Sequence, residues 1–258
     1  MATNNIHPDV EAFSALVPLH SQDTSKVGKP PMAVQHAMDL LCKLRDGRED
    51  DEAATVRPII FIGHSLGGTI IKQALRLACS RQQYKPLLQA SRGIMFFATP
   101  QWKMDDAAWP LFTERVLRRN APGENVNPTH TMVQQIRLNS STLSKVSEDF
   151  KAVQRQMKFE SFVEDDPMDG VKHVFVTRDQ GLIHDIDREK HSYMSGDHLE
   201  LCKFGYADDE KFRLVSAGVK RLIDSTPKPI GSSSPPVGTY LRSNNQANCT
   251  PSFLTTAR

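Results

Sequence analysis

Long apolar runs are missing. Nowhere do the 258 residues approach the roughly 20 consecutive apolar positions that a membrane-spanning helix needs. Cysteine is scarce, and Cys42, Cys79, Cys202 and Cys249 form no C-x-x-C pair. That spacing argues against a disulfide scaffold and reads as free thiols in a reducing compartment. Net charge is nearly absent: 32 basic residues against 30 acidic ones leave +2, so nothing marks a nucleic-acid footprint. The start, Met1 to Phe13, has neither the basic and apolar blocks of a signal peptide nor an Arg-rich transit signature. An intracellular, chiefly cytoplasmic chain is therefore expected. Neither G-x-G-x-x-G nor a Walker pattern occurs, and no metal-ligand cluster stands out, so neither cofactor nor metal is expected.

What is present suits a packed core. With 39% hydrophobic and 24% charged residues, the chain can form one sizeable domain or two small ones. Residues 1–31 lack periodicity and read as an irregular leader. From Met32, MAVQHAMDLLCKLRDG places Val34, Met38, Leu41 and Leu44 on one helical face, with Gly47 as a stop. Ile59 to Ile62 is a short unbroken apolar run, as expected of a strand buried on both faces. Thr69 to Ser80 then reads as a helix with Ile70, Ile71, Ala74, Leu75 and Ala78 inward. Further strands are expected at Gly93–Ala98, Phe159–Val163 and His173–Thr177, with helices around Ala107–Arg119 and Thr131–Met157. A last helix is expected over Asp208–Asp224, with Phe212, Val215, Val219 and Leu222 at helical spacing. The Pro/Ser/Asn-rich stretch 226–258 reads as a disordered tail. Strands alternating with helices over residues 32–225 imply an α/β fold with a mainly parallel sheet.

Gly63-His64-Ser65-Leu66-Gly67 is a G-x-S-x-G motif, followed by Gly68. It follows an apolar strand and opens an amphipathic helix, the context in which this pentapeptide forms a nucleophile elbow. Ser65 is then the candidate nucleophile, at the apex of a turn made tight by small neighbours. A serine hydroxyl needs a base, normally a histidine oriented by a carboxylate, and on such a fold the chain order is Ser, acid, His. Five histidines follow Ser65. His130 precedes a helix, His173 enters an expected strand, and His184 and His191 fall in the loop after that strand and stay open. His198 lies between the last strand and the last helix, where the base belongs. Glu164-Asp165-Asp166 closes the preceding strand, with Glu164 the first choice of acid and Asp165 the alternative. Asp197 adjoins His198 too closely in sequence to aim at it, and Asp179 is a distant third.

Four stretches together resemble the serine-esterase α/β-hydrolases related to the serine-active-site-containing protein: RPIIFIGHSLGGTIIKQALRLA (57–78), GIMFFATP (93–100), SFVE (161–164) and DHLELCKF (197–204). Similar fungal domains often precede NACHT, ankyrin or TPR regions. The resemblance implies an α/β-hydrolase fold and an esterase or lipase-like serine hydrolase. It assigns Ser65 as nucleophile, His198 as base, Glu164 as acid and the Leu66 backbone N–H as an oxyanion donor. An ester or lipid is the implied substrate. Membrane-surface association is open for a lipid-acting relative, although no segment supports it, and mitochondrion or endoplasmic reticulum joins the cytoplasm as an expected location. Two features depart from the family. Gln101-Trp102-Lys103 replaces a His-Arg-Gly rim, and residues 1–56 hold no His-Gly dipeptide for a second oxyanion donor. The expectation is a domain missing its first strands, with an open sheet edge where a protein partner could sit. Such a chain should be a weak or inactive hydrolase, or an interaction module derived from one.

Overall fold

A computed structural model describes residues 32–49, 57–102, 145–169, 172–206 and 208–225. Four strands form one sheet in the order β1 (Ile59–His64), β2 (Ser91–Phe97), β3 (Lys158–Glu164), β4 (Glu189–Met194), every neighbouring pair parallel. Among the described residues, helices accompany them at α1 (Met32–Glu49), α2 (Leu66–Ser80), α3 (Lys85–Ala90) and α4 (Glu210–Asp224). Residues 145–150 are also helical. The described residues all fall within one unit, Met1–Thr226. The architecture is α/β, a parallel sheet with helices on both faces.

Period-two alternation divides β2 between two cores. Ile94 and Phe96 face the cluster built by Leu41 and Leu44 of α1 and by Ile70, Ile71, Ala74 and Leu75 of α2. Met95 and Phe97 face the other cluster, with Phe162 of β3 and Val215 and Leu222 of α4. A central strand buried on both sides has to be apolar throughout, which is why GIMFF reads so plainly. Across the second face, Arg221 of α4 grips buried Glu160 of β3 with two 2.7 Å hydrogen bonds. The guanidinium fork neutralises a carboxylate that the sheet would otherwise bury alone.

Several expectations need correction. Helix α1 runs past Gly47 to Glu49, because one glycine costs a helix only about 1 kcal/mol. Strand β1 is not buried on both faces: Ile59 and Phe61 face the core while Ile62 is 48% exposed. It ends the sheet among the described residues. Residues 173–177 form bends, not a strand, because Phe175 and Val176 turn inward as isolated anchors. The fourth strand is the polar EKHSYM segment, whose outer position leaves Lys190, His191 and Tyr193 exposed. His191 therefore sits in a strand, and His173 enters none. The expected helix over 107–119, most of that over 131–157, the leader 1–31, and the tail 226–258 lie outside the described residues.

Candidate active site

The order of events along β1 and α2 builds the site. β1 ends at His64, the chain reverses at one residue, and α2 begins at Leu66. Ser65 makes that reversal with φ 52° and ψ −127°, a left-handed region that non-glycine residues rarely occupy. Its N–H donates to the Phe97 carbonyl of β2 at 2.8 Å. A serine before a helix ordinarily caps the first turn with its hydroxyl, but the Ser65 side chain makes no cap bond. The strained backbone turns the hydroxyl away from the helix and toward His198.

The turn is tight enough to dictate its glycines. A Cβ on Gly63 would lie 2.7 Å from the Gly68 backbone, and one on Gly68 would lie 2.3 Å from Thr99 Oγ1. Gly67, the last letter of the motif, has nothing within 4 Å of that position. The small residues that matter are therefore Gly63 and Gly68, one place beyond the pentapeptide. Gly68→Ala is expected to cost about 1–3 kcal/mol by overpacking. Gly67→Ala should be neutral or gain up to about 1 kcal/mol from the helix. Urea denaturation of the two variants checks the contrast.

Three side chains distant in sequence meet here. Ser65 Oγ lies 2.9 Å from His198 Nε2 and donates to it. His198 Nδ1 in turn donates to Glu164 Oε2 at 2.7 Å, with both side chains fully buried. The other Glu164 oxygen accepts the Val176 N–H at 2.5 Å. Glu164 is the final residue of β3, paired with Met194 of β4, so the acid and the loop bearing His198 leave the sheet from adjacent strand ends. The Phe175 and His198 rings pack in a T-shape with centroids 4.9 Å apart. Residues 175 and 176, expected as part of a strand, instead line the acid and base.

The loop carrying His198 is fixed by its own polar groups. Asp197 Oδ1 accepts the N–H groups of Leu199 and Glu200 at 2.8 and 3.0 Å. Asp166 Oδ2 accepts the N–H of Gly196, whose φ is 111°. The three adjacent carboxylates thus have separate partners: Glu164 binds His198, Asp166 holds Gly196, and Asp165 pairs with Arg178 at 2.6 Å on the surface. Of the two candidate acids, Asp165 is engaged by the solvated Arg178 guanidinium, and Glu164 is the one bonded to His198 Nδ1. Asp179 is also at the surface, 3.3 Å from His184.

His64, between Gly63 and Ser65, adjoins the candidate nucleophile, and nothing in the sequence assigns it a partner. Its Nε2–H donates to the His198 carbonyl at 2.7 Å. Burial, with His198 beside it, pushes the His64 imidazole down to about 4, so it is neutral at ordinary pH. Leu66 opens α2, where the first amides have no intrahelical acceptor and the helix dipole is positive. Of the altered rim, Trp102 donates its indole N–H to the Leu182 carbonyl at 3.0 Å, Gln101 is buried, and Lys103 lies outside the described residues. Among the described residues, no group of three or more His, Cys, Asp or Glu side chains is arranged to hold a metal ion.

No family model matches the chain. Over 62 residues it is 37% identical to Protein SERAC1 of Mus musculus and 34% identical to that of Homo sapiens. Those matches cover 24% of this chain and 9% of each SERAC1 protein, so the chain spans a small part of the curated relatives it matches. Similar solved structures include a carboxylesterase of Nitrososphaera gargenis, 14% identical over 74% of each chain, with a TM-score of 0.45. The NocB thioesterase domain, solved as a covalent fluorophosphonate complex, is 13% identical over 78% of each chain, with a TM-score of 0.43. The peroxisomal α/β-hydrolase Lpx1 of Saccharomyces cerevisiae is 12% identical over 84% of this chain and 66% of its own, with a TM-score of 0.45. These three structures are thus described as a carboxylesterase, a thioesterase domain and an α/β-hydrolase.

Proposed function

We propose that this chain is a serine hydrolase that cleaves carboxylic esters through an acyl-enzyme. The observation that carries the reading is the continuous hydrogen-bonded chain from Glu164 through His198 to Ser65, which ends on a strained, uncapped serine. His198 Nε2 takes the Ser65 proton as Oγ attacks the ester carbonyl carbon. Negative charge gathers on the carbonyl oxygen, and the Leu66 N–H at the positive end of α2 is the donor assigned to it. The protonated Nε2 then gives its proton to the leaving alkoxide as the C–O bond breaks. Water repeats the sequence on the acyl-enzyme and releases the acid. Glu164 remains a carboxylate, holding the Nδ1 proton and opposing the positive charge that forms on the ring.

An alkyl fluorophosphonate tests this directly. It should attach to Ser65, found by mass spectrometry on the peptide spanning β1 and α2, and Ser65→Ala should not be labelled. Absence of labelling on the folded chain would sink the proposal. It would favour the second reading, a non-catalytic interaction module, whose motive is the 48% exposure of Ile62 on β1, the end strand among the described residues. A partner of that kind would sit along β1. No helix among the described residues is long and apolar enough to cross a membrane, and a membrane-surface or cytoplasmic setting is part of the proposal only.

A further inference from the structure

We propose that His64 is a positioning residue for the base, a reading that rests on the hydrolase function above and assigns that site one further group. The same two residues of the elbow meet His198 twice. Ser65 faces its ring at Nε2, and His64 holds its backbone carbonyl at 2.7 Å, across 134 residues of sequence. Ser65, Glu164 and Phe175 all meet the His198 ring, whereas His64 meets its main chain. With both contacts, the base is registered against the nucleophile at its side chain and at its main chain.

The surroundings show why the clasp is needed. His198 lies in the stretch between β4, which ends at Met194, and α4, which begins at Glu210. That connection follows the outermost strand of the described sheet, whose exposed side chains contribute little packing. Within it, the Asp197 and Asp166 contacts organise the turn on its own side. The His64 contact ties it across to β1, whose last residue pairs with Phe97 of β2 and is held by the sheet. The chemistry of the pair is also consistent. A carbonyl can only accept, so the proton of neutral His64 sits on Nε2. The two rings lie 5.0 Å apart, and a neutral His64 adds no repulsion when His198 takes the serine proton. A lysine or arginine here could hold the same carbonyl but would oppose that charge.

The test compares His64→Leu, which removes the donor at similar bulk, with His64→Gln, whose amide N–H reaches a similar distance. Both are made in the full chain. Misplacing a reacting group by about 1 Å costs on the order of 10²-fold. The leucine variant should therefore lose about 10- to 100-fold in the second-order rate of fluorophosphonate labelling at Ser65, and glutamine should recover most of it. The His198 Nδ1–H proton signal in NMR, followed alongside, should shift or broaden in the leucine variant and return with glutamine. A purely structural role would lower the melting temperature without this recovery pattern. Labelling of the leucine variant within about twofold of the parent would overturn the proposal. If the parent is not labelled, the hydrolase reading has failed, and the NMR signal alone decides positioning. An unchanged signal in His64→Leu then overturns it. Should the leucine variant not fold, His64→Asn, a donor too short to reach, replaces it with the same expected results.

Discussion

Glu164→Gln should lower serine-dependent ester hydrolysis by about 10³- to 10⁴-fold, the scale of losing the oriented carboxylate in such an arrangement. The structure explains why so conservative a change should matter. The two carboxylate oxygens of Glu164 have different partners, the Val176 N–H on Oε1 and the His198 Nδ1–H on Oε2. A glutamine has one acceptor oxygen to place. Keeping it at Val176, which is backbone and cannot turn, leaves the amide NH₂ against His198 Nδ1. The ring must then accept at Nδ1 and carry its proton on Nε2, the nitrogen that has to receive the Ser65 proton. Placing the oxygen at His198 instead sets NH₂ against the Val176 N–H in a buried site, an unpaired donor costing about 1–3 kcal/mol. Either arrangement removes the competent tautomer or loosens its support. Asp165→Asn, by contrast, disturbs only a solvated pair with Arg178, and its rate should stay within about twofold of the parent, as for most surface pairs. Steady-state kinetics on a simple aryl ester measures both. Equal losses from the two variants would overturn the choice of Glu164 over Asp165.

Ser65, His198 and Glu164 lie within hydrogen-bonding distance in the structure, and the sequence points to each of them with a different strength for physical reasons. The elbow lies within one continuous segment, β1 to α2, so its signal needs no long-range information. His198 shares the span between the expected strand at 173–177 and the last helix with His184 and His191; with the strand at Glu189–Met194 it is the one histidine between that strand and the last helix. The acid was harder. Glu164, Asp165 and Asp166 carry the same charge in consecutive positions, and only the end of the β3 pairing with Met194 of β4 decides which one meets His198.

What stayed illegible follows from the same physics. The hydrophobic pattern favours the Val174-Phe175-Val176 run as the fourth strand, but an outer strand need not be apolar, and Glu189–Met194 forms it with Lys190, His191 and Tyr193 exposed. Phe175 is apolar for a different reason, since its ring packs against His198, and the Val176 side chain is buried. The Val176 contribution is a backbone amide, which no residue type announces. His64 was legible in principle as a polar residue beside the nucleophile. Its partner, however, is a carbonyl 134 residues away, a contact that only the folded loop creates.

Lys72→Met should stabilise the protein at pH 6 by about 2–4 kcal/mol, and the advantage should vanish by about pH 10. Lys72 lies on α2 at the position two turns beyond the elbow. Its ammonium is fully buried, with the Ser147 hydroxyl at 3.0 Å and the Phe96 ring 5.6 Å away. Burial pushes the amine from 10.5 down to about 7, against a smaller opposing pull from the Glu189 carboxylate. The folded amine therefore releases its proton near pH 7, whereas the unfolded chain keeps it to about pH 10.5. Between those values the unfolded state binds the extra proton, so stability rises with pH. Below pH 7 the amine is charged in both states and folding bears the full desolvation. A fall from 10.5 to about 7 corresponds to on the order of 5 kcal/mol between the two ends of that window. Methionine keeps the unbranched stem and comparable volume without the charge, while the orphaned Ser147 hydroxyl returns about 1–3 kcal/mol of the gain. Urea denaturation of both proteins at pH 6 and pH 10 separates the contributions. An advantage of the same size at both pH values would show that the Lys72 charge is not its source.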